Sequence, residues 1–269
     1  TYIVLFFPFL PFIILVIFKG ILLMGKYKTF LLILLFLIVS SCALYCNKNG
    51  SRFEDRSGTV GHILPRQSFV KLHKTIKIKI CNPEDPEDCR ERKMGSSASG
   101  FVVRNDNDGS YIITAAHVCD DKELESLISL QSNVKLLNKK FLVLDIEGKR
   151  FEINTLNYDS SIDVCMVYAY GLYRQPVNIA NTGPSPGDIV YNLAAPIGVF
   201  APNMIPILHG HYNGEMENMA IYSVPAVGGS SGSGVFNHRG ELVGLIHSVY
   251  VRFSFLSLSP TYNDLVSFI

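Results

Sequence analysis

Three separated stretches of this 269-residue chain carry side chains that could together perform acyl transfer. Residues 228–234 read Gly-Gly-Ser-Ser-Gly-Ser-Gly and follow the apolar run 221–227. A serine flanked by glycines lets the backbone turn sharply, presenting a hydroxyl while neighbouring N–H groups converge on one point. Taken alone, such a run also describes a flexible turn or linker. The base that gives it meaning lies upstream, where the strand-like run Tyr111-Ile112-Ile113-Thr114-Ala115-Ala116 ends at His117. An aspartate, Asp163, follows Ser160-Ser161-Ile162 and opens a second apolar run. A serine hydroxyl is a weak nucleophile that needs an imidazole as base, and the imidazole needs a carboxylate to set its tautomer and stabilise its charge. All three groups are present in the order His, Asp, Ser. Asp159 competes for the carboxylate role, but it sits in the polar turn 157–160, whereas Asp163 leads into a strand.

The segments that must position these groups read as short strands. Residues 68–72 and 75–80 alternate apolar and polar side chains, as half-buried strands do, and so begin the fold near residue 66. Strand patterns recur at 140–144, 151–154, 188–193 and 205–212, with Pro206 confined to the start or edge of the last. The best helical stretch is 122–128, and 262–269 reads as a short C-terminal helix. Short strands at regular spacing with little helix predict an all-β architecture. Cys81 and Cys89 bracket the acidic, proline-containing loop 82–88, where an exported chain is expected to form a disulfide. Glu84, Asp85, Glu87 and Asp88 fit an acidic surface loop better than a calcium site, and no metal is expected. Cys119 and Cys165 lie two residues beyond His117 and Asp163, as a pair or as buried thiols.

Hydrophobic residues make up 48% of the chain and are unevenly spread. Residues 1–41 hold no acidic side chain and only three basic ones, Lys19, Lys26 and Lys28, leaving 21 basic and 23 acidic for the rest. With no basic stripe in the sequence, nothing points to a nucleic-acid partner. From Met24, a basic segment, an apolar core and Val39-Ser40-Ser41-Cys42 together read as a signal peptide with a lipidation site at Cys42. The apolar stretch 2–18 is read as leader sequence upstream of a start at Met24, or else as a genuine membrane span. The expected organisation is an apolar leader and signal or anchor over 1–41, a polar tether over 42–65 and a folded domain over 66–269. That places the domain outside the cytoplasm, on the periplasmic or extracellular face, held to a membrane through its N-terminal anchor.

Several motifs agree in order with the trypsin/chymotrypsin-like serine peptidases, which the chain resembles most in their short bacterial and HtrA-type branch, here without a PDZ domain. They are Ser99-Gly100-Phe101-Val102-Val103, Thr114-Ala115-Ala116-His117, Asp159 with Asp163, Gly229-Ser230-Ser231-Gly232-Ser233, and Gly240-Glu241-Leu242-Val243-Gly244-Leu245-Ile246. The resemblance covers residues from about 66 to the C-terminus. It implies two six-stranded antiparallel β-barrels, about 66–180 and 188–260, joined through Gly183-Pro184-Ser185-Pro186-Gly187. It assigns Ser231 as nucleophile, His117 as general base and then acid, and Asp163 as orienting carboxylate. The N–H groups of Gly229 and Ser231 become the oxyanion hole. Gly234 departs from the pattern, which usually has proline there.

The resemblance further implies protein or peptide substrates, no cofactor, and a substrate pocket formed by 224–228 and the strand 245–249. No aspartate lies in 224–228 to favour a basic side chain. Val227, His247 and Ser248 are the pocket candidates; His247 stands one position beyond the histidine of glutamate- and glutamine-selective relatives, a shift that a bulge would undo. His209 and His211 can share one strand face but lack a third metal ligand. The expected activity is that of a serine endopeptidase. The rival readings are a protease of a membrane-tethered viral polyprotein and a catalytically silent protease-fold binding module.

Overall fold

In a computed structural model, the structure describes residues 63–269 apart from 86, 251 and 252. The expected signal and anchor segment, the lipidation candidate Cys42, Cys46 and most of the tether lie outside the described residues.

After a 3-10 turn at Arg66–Ser68, the first half of the domain is one closed barrel. Its strands are β1 (Phe69–Cys81), β2 (Cys89–Asn105), β3 (Gly109–Thr114), β4 (Val134–Leu144), β5 (Arg150–Asp159) and β6 (Val164–Tyr170), in the order β1-β2-β3-β6-β5-β4. The two alternating segments of the sequence are a single strand, because Lys74 between them keeps the inward period. Its ammonium is buried, ion-paired to Asp121 and hydrogen-bonded to the Val118 carbonyl at 2.9 Å. Val70, Leu72, Val102, Ile112, Val143 and Val167 fill the barrel interior. Two helices interrupt the strands, α1 (Ala116–Cys119) and α2 (Lys122–Ser129).

The second half corrects the expectation of a second six-stranded barrel. Strands β7 (Ile189–Leu193), β8 (Ile207–Met216), β9 (Met219–Tyr222), β10 (Ser233–Phe236), β11 (Leu242–Ile246), β12 (Ser248–Tyr250) and β13 (Phe253–Pro260) form a seven-stranded open sheet, ordered β11-β10-β7-β8-β9-β13-β12. The two edge strands are consecutive in the chain, separated at His247: β11 pairs with β10, and β12 with β13. Between β11 and β13 side-chain hydroxyls take the places of ladder bonds. The Leu245 N–H donates to Ser259 Oγ at 3.0 Å, and the Val243 carbonyl accepts from the Tyr222 hydroxyl at 3.1 Å. Backbone groups satisfied in this way have no need of a strand partner, so the ladder does not close.

The segment between the two sheets is pinned to both. Val177 N–H donates to the Val102 carbonyl, and Ala180 N–H and the Asn178 carbonyl bond to Leu242. Phe69, Phe101, Phe236 and Leu245 share the core cluster between the sheets, with Phe101 and Phe236 edge to face at 5.9 Å. Helix α3 (Tyr262–Phe268) starts at Thr261, whose side chain accepts from the Asp264 N–H, and buries Leu265 in the same cluster.

Both cysteine pairs of the described residues are disulfides, Cys81–Cys89 and Cys119–Cys165. Among the described residues no group of His, Cys, Asp and Glu side chains is placed to hold a metal ion, and no helix is long and apolar enough to cross a membrane.

The same aromatic pair accounts for Gly234. A Cβ on it would stand 2.5 Å from Phe236 Cζ and 2.8 Å from Phe101 Cε1. The rings occupy the space that the ring of a proline would need. Gly234→Ala is therefore expected to lower stability by about 1–3 kcal/mol, through forced displacement of well-packed rings. A thermal or denaturant melt checks this, and an unchanged midpoint would contradict it.

Candidate active site

The site forms where the first barrel meets the loop 228–232. His117 lies in the single turn of α1, directly after β3, and Asp163 immediately precedes β6. Because β3 and β6 are hydrogen-bonded neighbours, with Thr114 opposite Cys165, the two residues emerge side by side. The Cys119–Cys165 disulfide ties α1 to β6 beside them. Asp163 is left-handed (φ 53°), a conformation costly for a non-glycine residue, though Asp tolerates it better than most. The resulting turn points its carboxylate at the histidine. Oδ2 lies 2.8 Å from His117 Nδ1, and Oδ1 accepts the His117 backbone N–H at 2.9 Å. On the far side of the ring, His117 Nε2 is 3.0 Å from Ser231 Oγ.

The other serines of the glycine-rich run have structural work. Ser230 and Ser233 are buried: Ser230 accepts the Val227 N–H on its hydroxyl, and Ser233 accepts the Asn192 side-chain amide. Ser231 alone faces the imidazole. Gly232 makes that presentation possible at φ +81°, since a Cβ there would stand 2.1 Å from Thr114 Oγ1. Among the described residues the N–H groups of Gly229 and Ser231 meet no acceptor, whereas those of Ser230, Gly232 and Ser233 do. Asp159, the alternative carboxylate, is engaged elsewhere, accepting the N–H and hydroxyl of Ser161 at 2.8 and 2.6 Å.

Ser99 is the residue whose role sequence reasoning missed. It is fully buried in β2, and its N–H donates to the Ser231 carbonyl at 2.8 Å. Its hydroxyl donates to the Gly229 carbonyl at 2.8 Å and accepts the Ala195 N–H at 2.9 Å, while its own carbonyl accepts the Thr114 hydroxyl at 2.8 Å. One residue thus holds the loop at Gly229 through its side chain and at Ser231 through its backbone. The available signal was a hydroxyl residue amid the small and apolar residues of Ala98-Ser99-Gly100-Phe101.

The pocket candidates are dispersed. Val227 is exposed, and Ser248 is half-buried at the start of β12. The largely buried His247 instead turns its Nδ1 to within 3.5 Å of Asp163 Oδ2, the same oxygen that His117 Nδ1 approaches. Burial first, and then the neighbouring His117, push the His247 pKa down, against the pull of Asp163. The space beside Ser231 is a cavity of about 480 Å³ that extends along the first barrel past Leu72, Ile76, Phe141 and Ser97.

A sequence model of the trypsin-like peptidase domain matches residues 98–245, more than half of the chain. The chain belongs to the trypsin-like peptidase domain family. Its fold is similar to that of the Rv3671c protease from M. tuberculosis in its active form, with 18% identity and a TM-score of 0.53 over 77% of this chain and 81% of that one. The inactive form of the same protein, a serine-to-alanine mutant, gives 15% identity and a TM-score of 0.51 over 76% and 85% of the two chains. An HtrA-type protease, AlgW, solved with a decapeptide, gives 13% and 0.58 over 77% of this chain and 64% of that one. No curated protein matches the chain by sequence.

Two measurements test this site. Ser99→Ala strands the buried Gly229 carbonyl and Ala195 N–H, so stability should fall by about 1–3 kcal/mol in a denaturant melt. Asp163 supplies the second. Burial favours its neutral acid, but the hydrogen bonds from the side chain and backbone of His117, together with the charge of the imidazoles, outweigh this and hold its pKa below the usual carboxylate value. A carboxylate whose pKa is lowered on folding contributes stability that is fully present above the unfolded value near 4 and lost as pH falls through the folded one. The melting temperature of the native protein should therefore fall more steeply below about pH 4 than that of Asp163→Asn.

Proposed function

We propose that this chain is a serine endopeptidase working through an acyl-enzyme, with His117, Asp163 and Ser231 as its catalytic residues. The observation that carries the reading is the unbroken hydrogen-bonded series from Asp163 through both nitrogens of His117 to Ser231 Oγ. His117 Nε2 takes the proton from Ser231 Oγ as that oxygen adds to the scissile carbonyl carbon, and the free N–H groups of Gly229 and Ser231 hold the oxyanion. The same imidazole passes its proton to the departing amine, leaving an ester on Ser231. Water, deprotonated by His117, then adds to the ester carbon, and the imidazolium returns that proton to Ser231 Oγ as the ester bond breaks and the acid is released. Asp163 remains ionised throughout, stabilising the imidazolium.

The proposed organisation keeps the leader and signal or anchor at 1–41 and the tether at 42–65, with the peptidase domain over 66–269. It places the domain outside the cytoplasm, held to a membrane through the N-terminal segment. Two disulfides in the domain support an oxidising compartment.

Fluorophosphonate labelling of the full chain, with peptide hydrolysis alongside, is the test. Labelling should fall on Ser231 and vanish in Ser231→Ala, whose turnover should drop by roughly 10⁴ or more. Folded native protein that neither labels nor cleaves would overturn the reading in favour of a binding module.

A further inference from the structure

The outer face of the first barrel carries a groove of about 610 Å³ that the acyl-transfer chemistry does not use. Successive side chains of a strand point to opposite faces. On β1, Val70 and Leu72 fill the barrel interior, so Lys71, His73, Thr75 and Lys77 point out and line the groove. The ladders bring cations from three other strands beside them. Lys93 of β2 stands opposite Lys77, Lys140 of β4 opposite Thr75, and Arg150 of β5 opposite Leu144, which itself faces Lys71. The sequence scatters these residues between 71 and 150, so no basic run announces them.

Among the described residues no carboxylate lines the groove. Glu91 pairs with Lys77 at 2.6 Å, and Glu152 stands opposite Leu142 on β5. Among the described residues Lys93, Lys140 and Arg150 meet no carboxylate at ion-pair distance. Burial first, and then the charges of Lys71, Lys93 and Arg150, push the His73 pKa down, against a hydrogen bond with the Ser96 backbone. The positive field is local, since residues 42–269 hold 21 basic and 23 acidic side chains. A concentration of like charge that the fold leaves unneutralised attracts an anionic partner. Strand spacing sets these residues about 5 Å apart across the sheet and about 7 Å along it, a grid that matches a surface of separate charges better than one small anion. No aromatic ring lines the groove, so a nucleic-acid strand would find no platform for its bases.

We propose that this groove docks the domain on the anionic phospholipid headgroups of the membrane to which the N-terminal segment attaches the chain. The inference rests on the membrane attachment proposed above. The polypeptide enters β1 directly from the 3-10 turn Arg66–Ser68, and Lys71 is the third residue of that strand, so one end of the groove lies where the tether joins the fold. A flexible tether of about two dozen residues spans on the order of 25–30 Å, which keeps the groove close to the bilayer and the effective concentration of headgroups high. Each Lys or Arg at an anionic surface then favours the docked state roughly fivefold. Docking also leaves the candidate active site open. The cavity beside Ser231 takes Leu72, Lys74 and Ile76 from β1, whereas the groove takes Lys71, His73, Thr75 and Lys77, the opposite face of the same strand.

The test follows lysine acylation by mass spectrometry in the full chain, mixed with vesicles of phosphatidylcholine alone or of equal parts phosphatidylcholine and phosphatidylglycerol. Flotation with the neutral vesicles reads the N-terminal attachment by itself. Lys93 and Lys140 should react roughly tenfold more slowly on the anionic vesicles. The exposed Lys122 of α2 should react alike on both. High salt should remove the difference, because exposed charges are screened. In the double variant Lys140→Glu, Arg150→Glu, loss of two cations worth about fivefold each should return Lys93 to within about twofold of its neutral-vesicle rate. Both positions are exposed, and an unchanged melting midpoint checks that the variant is folded. Equal Lys93 and Lys140 rates on both vesicles, or equal slowing of Lys122, would overturn the proposal while leaving the attachment reading intact. Matching protection on neutral vesicles by inorganic phosphate or by poly-glutamate would overturn it in favour of a soluble phosphate or an acidic polypeptide. Failure to float with neutral vesicles would instead strike at the attachment reading, and the Lys93 and Lys140 rates with and without anionic vesicles would still decide the groove.

Discussion

The buried hydroxyl of Ser99 is the joint on which the site depends. Ser231 lies in the loop that leads into β10 of the second sheet and His117 on the first barrel, so their 3.0 Å separation exists only if the loop 228–232 is held against β2. Ser99 does this with two hydrogen bonds, from its N–H to the Ser231 carbonyl and from its hydroxyl to the Gly229 carbonyl, while its own carbonyl and hydroxyl accept from the Thr114 hydroxyl and the Ala195 N–H. Each bond contributes only about 1 kcal/mol net. Leaving their buried partners unmade costs more, which is why one hydroxyl in a core can fix a geometry that exposed polar contacts could not.

A second constraint acts on Asp163 and His117. Neighbouring strands β3 and β6 deliver His117 and Asp163 to the same rim, the Cys119–Cys165 disulfide bridges their elements, and the left-handed turn at Asp163 aims the carboxylate. The carboxylate then accepts from the His117 backbone N–H and pairs with the His117 imidazole, with the His247 ring 3.5 Å from Oδ2. This arrangement keeps a partly buried acid ionised, the condition under which it can stabilise an imidazolium.

Hydroxyls also explain why the second half of the domain is an open sheet. Ser259 and Tyr222 take the backbone groups of β11 that would otherwise face β13, and the chain leaves its ladder at His247. That break delivers His247 to Asp163 rather than to a substrate pocket.

The sequence by itself made legible the residues of the candidate site and the strand-rich character of the fold. His117, Asp163 and the glycine-rich loop are local patterns, each legible because its residue types and neighbours carry the signal. The Cys81–Cys89 pair was legible for the same reason, as a short loop leaves few alternatives. Tertiary structure decided what depends on residues distant in the chain. It buried Ser230 and Ser233 beside Ser231, and occupied Asp159 in its own turn. It paired Cys119 with Cys165, moved His247 to the carboxylate and left the second sheet open. Periodicity reports which face of a strand is apolar, but not which hydroxyl will replace a ladder bond or which strand edge will lack a neighbour. Those outcomes are set by side chains that meet only after the chain has folded.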